Sequence, residues 1–206
     1  MRIVTEISAG FAAGQAPIRK GWTGLFPVPG DSGQYEWSGF LPIAENPTTY
    51  NPSRHFIATA NNDILPAGYR HELSYTWAPP TRYNRIVEML TSGRKFDADD
   101  FARMQQDTIS LPARNFLRVL EKWRPAAGTE GAKMRTVLLN WDCNITMDSR
   151  AALIYEVWIE HLHHALLPKG VESVRLAPDV LLNEIESSPE KEGLLAKTLK
   201  MSLAEI

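Results

Sequence analysis

The chain of 206 residues has a single cysteine, Cys143, so it can form no internal disulfide framework and no multi-cysteine metal site; its redox compartment stays open. It has no apolar run near the roughly 20 residues that a membrane helix needs, because charges interrupt every candidate within a few positions. It has no excess of charge either. The formal net charge is -2, and Lys169, Lys191, Lys197 and Lys200 are diluted by neighbouring acids. Without a basic face to release counterions, neither nucleic acid nor an anionic membrane is an expected partner. Glycine-rich phosphate loops, internal repeats and low-complexity segments are missing too. Met1-Arg-Ile-Val-Thr-Glu-Ile has no apolar stretch before Glu6, so it is not a signal peptide. The last segment, Leu194 to Ile206, keeps helical periodicity without a stop signal, and both ends read as cuts in a longer chain.

What is present is ordinary for a globular protein: 44% hydrophobic and 22% charged residues, enough for one sizeable core or one and a half. Two textures divide the chain. Residues 1–79 hold most of the prolines and glycines, with β-leaning runs at Arg2 to Ile7, Gly10 to Ile18 and His55 to Ala60. From residue 80 to 206 apolar residues recur at three- and four-residue spacing: Ile86, Met89 and Leu90; Phe116, Leu117, Leu120 and Trp123; Leu153, Ile154, Val157, Trp158 and Leu162. Asp97 is placed to cap a helix running through Phe101 to Gln105, Pro112 suits a first turn, and Pro125 stops the helix that ends near Trp123. Ser149 can cap a helix reaching Leu167 before Pro168. Strands and loops followed by helices make an α+β chain rather than an alternating one.

Chemistry-bearing residues are few. The block from Leu25 to Pro42 carries prolines that remove donors and fix φ, so an extended surface loop or a pocket wall is expected there. Its aromatics Phe26, Tyr35, Trp37 and Phe40 are the candidate lining of an apolar acyl pocket. Asn61-Asn62 follows a short apolar run. Such a pair starts a loop in most proteins, because asparagine tolerates left-handed backbone; the alternative is that one amide donates to a developing oxyanion. Arg82, two residues beyond Pro80, is either a solvated helix-start residue or a charge stabiliser. His161, His163 and His164 cluster on one helix, but no glutamate stands between them in a metalloprotease arrangement, so no metal is expected. Cys143 has no cysteine-protease context and is expected to be an inert core thiol, with Trp123, Trp141 and Trp158 as core.

Several of these residues fall in a familiar order. Ala16-Pro-Ile-Arg19, Phe26-Pro-Val-Pro-Gly30, Trp37-Ser-Gly-Phe-Leu-Pro42, Asn46-Pro47, Asn51-Pro52, Ile57-Ala-Thr-Ala-Asn-Asn62 and Trp77-Ala-Pro-Pro-Thr-Arg82-Tyr-Asn-Arg-Ile86 together resemble the middle of the β subunit of penicillin acylases. The resemblance continues more weakly through Met104-Gln-Gln-Asp107, Ser110-Leu-Pro-Ala-Arg114 and Asn140-Trp-Asp142. It implies a share of the four-layer αββα sandwich of amino-terminal-nucleophile hydrolases. In that family a precursor is cut in two, and the new amino-terminal serine of the β subunit attacks a linear amide with its own α-amino group as base. By the same resemblance Asn61 corresponds to the oxyanion-hole asparagine, and Arg82 to the arginine that organises the site around it.

Departures from the family pattern bound this expectation. No serine stands at position 1, so the nucleophile, the α chain and the remaining β-chain segments of the same precursor are the expected partners, with a small amide such as a penicillin or an acyl-homoserine lactone as substrate. The family's location implies a periplasmic or secreted precursor. Some members hold a structural calcium partly through an aspartate near the position of His71; histidine offers no oxygen, although Glu72 is adjacent, so no cofactor is expected. Trp141-Asp142-Cys143 replaces the Trp-Asp-Gly of other members and loses a permissive glycine. The competing expectation is a truncated, catalytically inactive scaffold or binding protein.

Overall fold

The computed structural model describes residues 16–168, 170 and 175–205, and divides the chain into two compact units, Met1–Thr91 and Ser92–Ile206. The β-leaning run Arg2 to Ile7 and most of Gly10 to Ile18 lie outside the described residues.

In the first unit, β1 (Pro17–Arg19) pairs antiparallel with β2 (Trp37–Phe40). Pro17 faces Phe40 and Arg19 faces Trp37, so β2 carries one residue more than β1 between the two pairs, which is a bulge. Gly39, at φ +144°, supplies a backbone conformation that side-chain-bearing residues rarely adopt. Leu41 N donates to Ala16 O at 2.8 Å and prolongs the pairing. Part of the proline-rich block is therefore strand. Its prolines at 27, 29 and 42 lie outside β2 and leave these four residues free to pair. His55 to Ala60, by contrast, is not a strand: His55 at φ +60° and Asn61 at φ +61° turn the chain left-handed at both ends. A single 3-10 turn occupies Ile43–Glu45, and the unit closes with α1 (Thr81–Leu90), entered from Pro79-Pro80.

The second unit is helical: α2 (Ala98–Met104), α3 (Leu111–Lys122), α4 (Glu130–Leu139), α5 (Arg150–Leu166), α6 (Pro178–Ser187) and α7 (Lys191–Glu205). The starts of α2 to α5 are set by side-chain caps. Asp97, Ser110, Thr129 and Ser149 each accept a hydrogen bond from the backbone N–H three residues on, and Asp97 and Asp100 complete a reciprocal capping box. Helix α3 ends at Lys122 before Pro125, and α5 ends at Leu166 before Pro168, as the proline positions require.

One core unites α3 to α7. Phe116 and Leu120, Leu138, Ile154, Trp158 and Leu162, Leu181 and Ile185, and Leu195 and Leu199 are all buried in it. Trp123 is buried and Trp141 packs on the core edge. Leu153 departs from the expected stripe: it is half exposed, on the outer side of α5, because the 154–158–162 line already fills the interior. Cys143 is buried at φ +64°, and its carbonyl accepts from Ser110 N at 2.9 Å. The position thus demands the left-handed backbone that a glycine adopts freely, and burial raises the thiol pKa.

Gly131 marks a close approach. A Cβ there would lie 2.9 Å from Cη2 of the buried Trp123 ring. Helix propensity alone favours alanine over glycine by about 1 kcal/mol, whereas forcing a methyl into a packed core costs about 1–3 kcal/mol. Gly131→Ala is therefore expected to lower stability, contrary to propensity, and an unchanged or raised urea midpoint would show that Trp123 yields.

Candidate active site

Two candidate residues of the first unit, Asn61 and Arg82, meet around one turn. Asn61 is exposed, and its left-handed backbone is pinned where its carbonyl accepts from Ala78 N at 2.7 Å. Arg82, in the first turn of α1, aims Nη2 back at this turn and donates to Ala60 O and to Asn61 Oδ1, both at 3.0 Å. Guanidinium groups only donate, so the Asn61 atom facing Arg82 must be the oxygen. That fixes the amide. Nδ2 with its two protons is turned away from Arg82, and no described residue accepts from it.

The neighbouring residue of α1 holds the other end of the segment. Tyr83 Oη accepts from Arg54 Nη1 at 2.8 Å, while Arg54 Nε donates to Phe56 O at 3.0 Å and its guanidinium lies 4.9 Å from the Phe56 ring centroid. Residues 54–61 are thus tied at both ends to the first turn of α1. Pro79-Pro80 make this possible by starting the helix sharply after the extended approach of Trp77-Ala78. Asn62, expected as a plain turn residue, is buried with 7% of its surface accessible. Its Oδ1 accepts from Ala60 N at 3.0 Å and its Nδ2 donates to Asp63 O at 2.8 Å. Only the Asn-Asn doublet hinted at two different roles.

The aromatic candidates form two separate edge contacts. Trp37 and Phe40 meet at 5.8 Å between ring centroids, and Tyr35 meets Trp22 at 6.2 Å. Phe26 is 73% exposed and Trp37 56%. No hydrogen bond or ring contact joins these four residues to Asn61 or Arg82 among the described residues.

His71 faces Glu45. Its Nε2 lies 2.7 Å from Glu45 Oε2, which also accepts from Arg70 Nη2 at 2.6 Å. The same ring nitrogen is 3.1 Å from Arg70 Nε. A nitrogen so close to a carboxylate carries the proton, so Nε2 donates to Glu45 and the Arg70 approach is no hydrogen bond. Arg70 first, then His71, hold the Glu45 carboxyl below its usual value of 4.5. Because the folded value is depressed, this tie contributes fully above the ordinary glutamate range and is lost as the pH falls through the lowered value. The Arg70 and His71 side-chain NMR signals should accordingly show a transition below pH 4.5 that Glu45→Gln removes; persistence of that transition in the variant would assign it elsewhere.

The histidines of α5 belong to the second unit. His161 and His163 are buried, and His164 pairs with Glu160 at 3.0 Å. Among the described residues no group of three or more His, Cys, Asp or Glu side chains is placed to hold a metal ion, and no helix is long and apolar enough to cross a membrane.

Comparison with known proteins gives this geometry a context. The thermostable penicillin G acylase from Alcaligenes faecalis matches with a TM-score of 0.69 over 93% of this chain and 43% of its own, at 19% identity, which establishes a common fold. Among the described residues that fold is represented by helices and a two-stranded sheet, without a four-layer sandwich. In sequence, the penicillin amidase profile matches residues 7–205, and the chain belongs to that family. Penicillin acylase 2 proenzyme of Pseudomonas sp. (strain SE83) is 33% identical over 145 residues, covering 70% of this chain and 19% of the relative. Acyl-homoserine lactone acylase QuiP of Pseudomonas fluorescens (strain Pf0-1) is 31% identical over 160 residues, covering 71% and 20%. The chain spans about a fifth of the length of these curated relatives.

Proposed function

We propose that this chain supplies the oxyanion-stabilising part of an amide hydrolase of the penicillin-acylase type. The observation that carries this reading is the pair of bonds from Arg82 Nη2, which takes Asn61 Oδ1 and leaves Asn61 Nδ2 presented to solvent. When a nucleophile adds to an amide carbonyl, negative charge gathers on the carbonyl oxygen, and a fixed N–H donor lowers the barrier because it needs no reorientation at that moment. Arg82 adds positive charge behind the amide and polarises it toward donation. The attacking group is an amino-terminal serine contributed by the rest of the precursor, which also supplies the remaining layers of an αββα sandwich and the α chain as partners.

The names of the relatives support a linear amide as substrate, with a penicillin or an acyl-homoserine lactone as the class. Phe26, Tyr35, Trp37 and Phe40 are the share of the acyl-pocket wall that we assign to this chain. The exposure of Phe26, Trp37 and Phe40 suits a wall completed by other segments. We assign no calcium to it: the Glu45 carboxylate beside His71 is already paired with Arg70, and Ca2+ selects carboxylate and carbonyl oxygens. The precursor is assigned to the periplasm or the exterior.

The complete gene product tests the reading directly. Purified, it should release the amine from phenylacetyl and fatty-acyl 4-nitroanilides, and its mature β chain should begin with serine on amino-terminal sequencing. Failure to hydrolyse either amide, or an authentic chain beginning at Met1 with no companion, would replace the enzyme with an inactive scaffold.

A further inference from the structure

Asn61 and Asn62 differ more than their identical chemistry suggests. Asn61 is exposed and presents its amide outward, whereas Asn62 is buried and commits its amide to the backbone. We propose that Asn62 is a positioning residue of the oxyanion site, whose side chain staples Ala60 to Asp63 and so holds Asn61 in the turn from which Asn61 Nδ2 meets the substrate. This rests on the acyl-transfer reading of Asn61 given above.

The staple spans the four residues around the catalytic position. Asn62 Oδ1 accepts from Ala60 N at 3.0 Å, and Asn62 Nδ2 donates to Asp63 O at 2.8 Å. Between these anchors Asn61 stands at φ +61°, the left-handed conformation that asparagine tolerates better than most L-residues. Three further bonds constrain the same turn, from Ala78 N to Asn61 O, from Arg82 Nη2 to Ala60 O, and from Arg82 Nη2 to Asn61 Oδ1. All three act on Ala60 or on Asn61 itself. Of these side chains, only that of Asn62 ties the residue before Asn61 to the residue after the doublet.

The chemistry at this position is selective. The staple needs an acceptor at one end and a donor at the other, on a short planar group, inside a partly buried turn. Asparagine meets that requirement. Aspartate has acceptors only, so it keeps the Ala60 bond and loses the Asp63 bond; alanine loses both. Without them the Ala60 N–H and the Asp63 C=O are left to find other partners, and the turn loosens around Asn61.

In the complete processed enzyme, Asn62→Ala should lower kcat on a phenylacetyl or fatty-acyl 4-nitroanilide on the order of 10- to 100-fold, part of what loss of a whole oxyanion donor costs, with KM little changed. Asn62→Asp should fall between wild type and Asn62→Ala. The double variant Asn61→Gly/Asn62→Ala should be no slower than Asn61→Gly alone, because a residue that acts through Asn61 has nothing left to position. Additive losses in the double variant, or wild-type kcat in Asn62→Asp, would overturn the positioning role, and Asn62→Asp remains informative if Asn62→Ala fails to fold. An inactive Asn61→Gly with a fully active Asn62→Ala would remove Asn62 and leave the oxyanion assignment standing. A fully active Asn61→Gly would remove both.

Discussion

An enzyme carrying Asn61→Gly should keep its fold and lose kcat on the order of 10²- to 10³-fold, the typical effect of deleting one oxyanion donor. Glycine is the informative replacement. At φ +61° it adopts the native backbone at no steric cost, so the turn, the Ala78 bond and the Arg82 bond to Ala60 all survive while the side-chain amide disappears. Alanine mixes two effects, because it deletes the amide and also imposes left-handed strain of about 1–2 kcal/mol. The measurement is steady-state hydrolysis of an acyl 4-nitroanilide beside thermal unfolding of the same samples. Loss of kcat at an unchanged Tm assigns the deficit to chemistry; wild-type kcat would take Asn61 out of the mechanism.

Trp158→Ala should destabilise the helical unit by about 3–5 kcal/mol, the range for deleting a fully buried large aromatic. Trp158 is 0% exposed at the centre of α5. Its ring meets Phe116 of α3 edge-to-face at 6.1 Å between centroids, and its Nε1 donates to Thr198 Oγ1 of α7 at 3.1 Å. One side chain therefore joins three helices by packing and by a buried hydrogen bond. Trp158→Phe should cost less, because it keeps much of the packing while losing the bond, although Thr198 Oγ1 still donates to Leu194 O at 2.8 Å. Urea unfolding of the 206-residue chain would measure both. A loss below about 1 kcal/mol for alanine would mean that the core collapses into the space far more readily than close packing allows.

Helix starts were the most legible part of this chain. Asp97 and Ser149 were legible as caps, and Ser110 and Thr129 join them in the structure, because a short side-chain oxygen satisfies an amide within one turn, a purely local event. Prolines 125 and 168 end helices for an equally local reason. Strands were less legible. His55 to Ala60 has the β-branched and apolar character of a strand, yet pairing depends on a distant partner, and left-handed residues bound it instead. Trp37 to Phe40 pairs although it lies in a proline-rich block, since only the residues between prolines decide whether donors are available.

Family membership was legible from sequence alone, through several short motifs in a fixed order, and the same motifs singled out Asn61 and Arg82 as a pair. The boundaries of α2, α3 and α5 were legible too, because caps and prolines act on their own neighbours. How each asparagine is held emerged only from the folded arrangement. The same side chain is exposed and accepts from Arg82 at position 61, a contact made across 21 residues of chain, and is buried and tied to the backbone at position 62.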